Sequence, residues 1–120
     1  MKSNQEILDE FGKLLVNNVF DQNYRMINNS VETFENTDGY KNLFKGMNSI
    51  QKKEIEGLVY ALLENMLFEF LKVFEEYDQF KIYFEENSQK INLVEISEML
   101  KAEPVIENGW IARFSREVNK

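Results

Sequence analysis

Apolar residues are densest between Ser49 and Tyr77, and their spacing there is helical. At 100° per residue, Ile55, Val59, Leu62, Leu63, Met66, Leu67, Phe70, Leu71, Val73, Phe74 and Tyr77 share one side, over roughly half the circumference. Glu56, Glu64, Asn65, Glu69, Lys72, Glu75 and Glu76 fall mostly outside that arc, while Leu58, Ala61 and Phe68 break into the polar side. The pattern predicts one long, largely buried helix over 49–77, touched by neighbours on more than one side. Asn48 or Ser49 caps its start, and Gln51 stands three after Asn48 as in a capping box. Gly57 costs up to about 1 kcal/mol relative to Ala. Charged interruptions are too frequent for a membrane span, which needs roughly 20 mainly apolar residues. On this reading Leu62 lies mid-arc in the core, where Leu62→Ala costs roughly 2–5 kcal/mol.

Upstream, Ser3 and Glu6 form a capping box, and Ile7, Leu8, Phe11, Leu14, Leu15 and Val19 supply an apolar helix face with Gly12 as a soft spot. Phe20, Tyr24, Ile27, Val31 and Phe34 alternate spacings of four and three, which places them on a second helical seam. The pair Asn17-Asn18 favours a break between these two helices, with Asp21 capping the second; a continuous helix is the alternative. Asn36-Thr37-Asp38-Gly39 is a turn cluster. A short helix over Tyr40–Lys45 follows, presenting Leu43 and Phe44, with Gly46 placed to cap its C-terminus.

After Tyr77 the period falls to two. Phe80, Ile82 and Phe84 alternate with Lys81, Tyr83 and Glu85, and Ile91–Leu93 returns as the second strand of a hairpin. Asn92 with Glu95 also signals a helix start, so a short second strand followed by a helix over about 94–101 satisfies both patterns. Pro104 stops that helix. Asn108-Gly109 turns the chain into a last helix carrying Trp110, Ile111, Phe114 and Val118. A lone Trp at this spacing is expected to anchor the tail on the core, with Trp110 or Phe114 covering Phe68. The fold class is therefore mainly α: about four to six helices around the central one, a small hairpin near 80–93 and short C-terminal helices. Residues 1–120 are read as a single domain, with no repeat or linker.

Composition narrows the chemistry. The chain has no Cys and no His, which removes thiol nucleophiles, disulfides, Ser-His-Asp and Cys-His catalysis and His-ligated metals. Net charge is −7 over 120 residues, a field that disfavours nucleic acid and anionic lipid as partners. Asn4, Gln5, Glu6, Asp9 and Glu10 stand where a secretory signal has its apolar run, so the chain is expected to be cytoplasmic. No glycine-rich phosphate loop is present, and no cofactor is expected. Glu32-x-x-Glu35, Glu75-x-x-Asp78 and Glu95-x-x-Glu98 resemble pieces of the carboxylate pattern of Mg²⁺-dependent all-α nucleotide pyrophosphohydrolases, but their order and spacing are wrong for it.

The remaining functional signal is electrostatic. Glu75, Glu76 and Asp78 crowd the negative end of the long helix, and Glu85 and Glu86 close the first strand. Local stability does not explain such a cluster, so replacing Glu75, Glu76 and Asp78 by amides is expected to leave the fold intact or slightly more stable. These five residues are the candidate surface for a basic protein partner. In size, acidity and lack of catalytic groups the chain is similar in kind to small bacterial immunity proteins and antitoxins. The leading expectation is thus a non-enzymatic protein-binding module. A carboxylate/Mg²⁺ hydrolase and a structural homodimer subunit are the alternatives.

Overall fold

A computed structural model describes residues 1–28 and 37–118. Helix α1 (Asn4–Leu15) runs through a π-helical turn (Val16–Phe20) into α2 (Asp21–Asn28). Then come α3 (Lys41–Phe44), the long α4 (Ser49–Glu76), a hairpin of β1 (Tyr83–Glu86) and β2 (Gln89–Asn92), α5 (Leu93–Ile96), a 3₁₀ turn (Leu100–Ala102) and α6 (Trp110–Phe114). This is the mainly α architecture that the periodicity predicts. Val31 and Phe34 of the second seam lie outside the described residues.

The capping boxes at Ser3 and Asn48 form, whereas Asn92 accepts from the Val94 amide at 3.2 Å and makes no box with Glu95. Ser3 Oγ accepts from the Glu6 amide at 3.1 Å while Glu6 accepts from the Ser3 amide at 3.2 Å. Asn48 and Gln51 repeat the exchange at the head of α4, at 2.8 and 3.0 Å. Each box satisfies amides that the first helical turn leaves without an intrahelical partner. The two-residue hairpin turn, Asn87-Ser88, has φ of 49° and 69°, the left-handed pair that matches strand twist. Tyr83 pairs with Asn92 and Glu86 with Gln89, so the first strand begins at Tyr83 and Phe80 stays exposed outside it.

Several expectations are corrected. The break at Asn17-Asn18 does not occur: the Asp21 amide bonds to the Val16 carbonyl, and Asn18 turns its side-chain amide back onto the Leu14 carbonyl at 2.9 Å. One inserted residue is absorbed as a π turn, so the backbone stays bonded where a break would free it. Asp21 is no cap. It is buried, and its carboxylate accepts from Ser115 Oγ at 2.6 Å and the Arg116 amide at 2.9 Å. The helix expected over 94–101 also divides, because Ser97 is extended and the chain re-forms only a 3₁₀ turn from Leu100.

A further correction concerns α4. Its neighbours are α2 on one side and the 3₁₀ turn on another, and among the described residues they cover only half the apolar arc. Leu67 and Leu71 are buried at 5% and 0%, whereas Leu62 and Met66 are exposed at 54% and 64%. The core joins Leu67 and Leu71 to Ile7, Leu8, Val16 and Phe20 from the first helices and to Leu93, Leu100, Trp110 and Ile111 from the C-terminal third. It therefore sits around the C-terminal half of α4, and the N-terminal half projects from it. The principal extents are 54 × 30 × 25 Å and the radius of gyration is 17.2 Å, against about 14 Å for a compact chain of this length. The cavity cost of about 2–5 kcal/mol expected for Leu62→Ala belongs instead to Leu71→Ala.

Trp110 closes the core from the far end of the sequence. It is fully buried, meets Phe11 edge-on at 5.6 Å between centroids, and covers Gly12 so closely that a Cβ there would lie 2.5 Å from the indole. Gly12 is a seat, not a soft spot. Phe68 is covered by a different segment from the one expected: Lys101 places its ammonium 5.7 Å from the ring, and Val105 lines the same hollow. Helical Gly→Ala ordinarily gains up to about 1 kcal/mol, and Gly57, with open space around it, should show that gain in urea unfolding. Gly12→Ala should instead lose about 1–3 kcal/mol through overpacking against Trp110. Equal midpoints for the two variants would contradict this seating.

Candidate functional site

Helix α4 carries two apolar faces about a third of a turn apart. Leu67 and Leu71, with Tyr60 and Leu63 half-buried beside them, make the inner face. The outer face is formed by Leu58, Leu62, Met66, Phe70, Val73 and Tyr77, all exposed. Spacings of four, four, four and three keep Leu58 to Val73 in one stripe, and Tyr77, the first residue past the end of α4, extends it to roughly 28 Å. Isolated surface leucines are ordinary, but a continuous row of six large apolar side chains is not. Phe70 is held edge-on to half-buried Phe74, with centroids 5.4 Å apart, which fixes its ring on the stripe.

Beside the stripe, α4 and the first helical pair leave an apolar groove of about 340 Å³. Leu15, Val19, Phe20 and Asn23 form one wall and Leu63, Met66, Leu67 and Phe70 the other. The π turn shapes the first wall, since Val19 and Phe20 belong to it. A smaller hollow of about 150 Å³ lies between α1 and the hairpin, lined by Ile7, Phe11, Leu14, Ile82, Phe84 and Leu93 with Glu10 as its one carboxylate. That volume is below the ~300 Å³ at which small-molecule sites begin.

The acidic residues singled out from the sequence are not brought together as one free surface. Glu75 is engaged: one oxygen accepts from the Lys101 amide at 2.9 Å and the other pairs with the Lys101 ammonium at 3.5 Å. It pins the 3₁₀ turn to the end of α4, so its replacement by an amide weakens a structural tie. This corrects the expectation that neutralising this cluster leaves stability unchanged or improved. Glu86 shares Lys2 with Glu10, at 3.4 and 2.6 Å. Glu76, Asp78 and Glu85 remain exposed.

Among the described residues the carboxylate pairs are not assembled as the pattern requires. Glu75 and Asp78 lose their helical relation because α4 ends at Glu76, and Glu98 lies beyond the extended Ser97 that ends α5. Glu32 and Glu35 lie outside the described residues. Among the described residues no three carboxylates are grouped to hold a metal ion, and no helix is long and apolar enough to cross a membrane. Burial pushes the carboxyls of Glu64 and Glu103 above the ordinary range, with hydrogen bonds from Tyr60 and Ser97 respectively opposing the shift. Comparison with protein families, curated proteins and solved structures finds no match.

Except for Leu58, which the pattern set on the polar side, the outer stripe consists of residues expected from their spacing to be buried. Its signal was present as excess width, because one neighbour needs an apolar arc of only about 100° and α4 has nearly twice that. Glu64 gives a separate check on packing around α4. Its raised folded pKa means the native state prefers the protonated form, so stability is full below the unfolded value and falls as pH rises through the folded one. Glu64→Gln should therefore raise the urea midpoint at pH 7, and the gain should vanish below about pH 4. A pH-independent difference would show that Glu64 is fully solvated.

Proposed function

We propose that this chain is a non-enzymatic protein-binding module that docks through the outer face of α4. The observation that carries this reading is the row Leu58, Leu62, Met66, Phe70, Val73 and Tyr77, exposed along a rigid helix with a groove beside it. Helix-in-groove recognition uses this kind of surface, with anchors spaced by three and four. Exposed Glu76 and Asp78 lie at one end of the stripe as a charged rim, where they influence association rate and orientation more than affinity. An immunity-type or antitoxin role covering a basic partner remains compatible with the net charge of −7. In that role apolar contact supplies the affinity and the acidic rim supplies the steering. For the Mg²⁺ hydrolase alternative no comparable observation exists.

A photo-crosslinking amino acid placed at Leu62 in the full chain, in its source cell, should give a covalent adduct with a protein. The same group at Lys53, half a turn away on the wheel and exposed, should not. Adducts of equal yield at both positions, or none at Leu62, would overturn the proposal.

A further inference from the structure

We infer that the occupant of the outer face of α4 is a second copy of this chain, packed antiparallel about a two-fold axis between Met66 and Phe70. This rests on reading that face as a docking surface. The first support is area. Half-exposed large side chains present on the order of 100 Å² each, so the stripe and exposed Val19 beside it offer roughly 600–700 Å². That exceeds the patch of a typical monomer and approaches the ~800 Å² per partner of a stable interface.

The stripe is also self-complementary. A two-fold axis at that point sets Leu62 against Val73 of the second copy, Leu58 against Tyr77 and Met66 against Phe70, each pair occurring twice as an isologous contact requires. The groove lies at the axis, since Met66 and Phe70 form part of its wall, so the second copy's side chains arrive where space is open. Each chain supplies a layer of two long helices, the α1–α2 run and α4, whose apolar outer face is exposed at Leu62, Met66, Phe70 and Val73. Two such layers face to face make a four-helix arrangement with a closed core.

Charge selects the direction. Parallel packing lays Glu76 and Asp78 on their own copies, where like charges repel. Antiparallel packing carries the two acidic ends roughly 25 Å apart, well beyond the screening length of about 8 Å at physiological salt. Glu69, near the axis, is already neutralised by Lys72 at 3.1 Å.

Light scattering on the full chain should give twice its 14.3 kDa mass. Met66→Glu, at an exposed position, should keep the helical circular dichroism and weaken self-association by at least about 100-fold through two like charges at the axis. The chain has no cysteine, so direction can be read by disulfide formation. A mixture of Leu62→Cys and Val73→Cys chains should crosslink as the mixed pair, while Leu62→Cys alone should stay uncrosslinked; efficient self-crosslinking of Leu62→Cys would overturn the antiparallel pairing. A 14.3 kDa mass at every concentration up to millimolar would overturn the second copy as occupant. In that case, hydrophobic-dye binding that is lost in Met66→Glu keeps the docking surface for a different partner, and binding unchanged by Met66→Glu removes both readings.

Discussion

Trp110 seated over Gly12 is the contact on which the rest of the described structure depends. The indole reaches helical backbone because no Cβ stands in the way, and it brings the last described residues, 110–118, onto α1 and the π turn. Its own approach is set by a second glycine. At Gly109 a Cβ would lie 2.4 Å from the Glu103 carbonyl oxygen, while the Trp110 amide donates to that same oxygen at 2.9 Å. Burial leaves the indole N–H without a partner among the described residues, a cost of about 1–3 kcal/mol. Full burial of a side chain this large offsets it, since an aromatic removes on the order of 150–250 Å² from water.

Once Trp110 is seated, polar contacts lock the segment after it. Ser115 Oγ donates to buried Asp21 at 2.6 Å and accepts from the amides of Glu117 and Val118. Glu117, buried as well, takes the Arg25 guanidinium at 2.6 Å. Two buried carboxylates in one small region are tolerable only because each is hydrogen-bonded to a donor that packing holds in place. The π turn belongs to the same assembly: it supplies core residues Val16 and Phe20 and delivers Asp21 at its end. An unbroken α-helix would rotate Asp21 by about 100° and leave Ser115 and the Arg116 amide facing something else.

On the opposite side of the molecule the described residues make no such closure. Phe20, Tyr24 and Tyr60 stack and meet edge-on within 6.1 Å between centroids, and this cluster is where the core ends along α4. Beyond it the helix continues towards Asn48 with Ile50 and Leu58 exposed. A 28-residue helix is longer than the packed body needs, and the surplus length carries an apolar surface that the described chain does not cover. The inner face of the helix holds the body together, and the outer face, exposed in the described structure, is the surface proposed to meet a partner.

The sequence by itself determined where the first helix and the long helix begin, that a hairpin follows the long helix and which chemistries are missing, because those features depend on composition or on residues close together in the chain. Ser3 with Glu6 and Asn48 with Gln51 needed no distant information. It also marked α4 as apolar around half its circumference, and it marked Trp110 as an anchor. Tertiary structure alone decided which half of that arc is buried, because the wheel is blind to how many neighbours arrive. It likewise decided that Gly12 is a seat for Trp110 and that Asp21, which looks like a cap, bonds to a serine 94 residues away. Glu75 passed from candidate contact to structural tie for the same reason, since Lys101 lies 26 residues further on. Local pattern specifies which residues need partners; only the folded chain specifies which of them remain without one, and the outer face of α4 is where that difference falls.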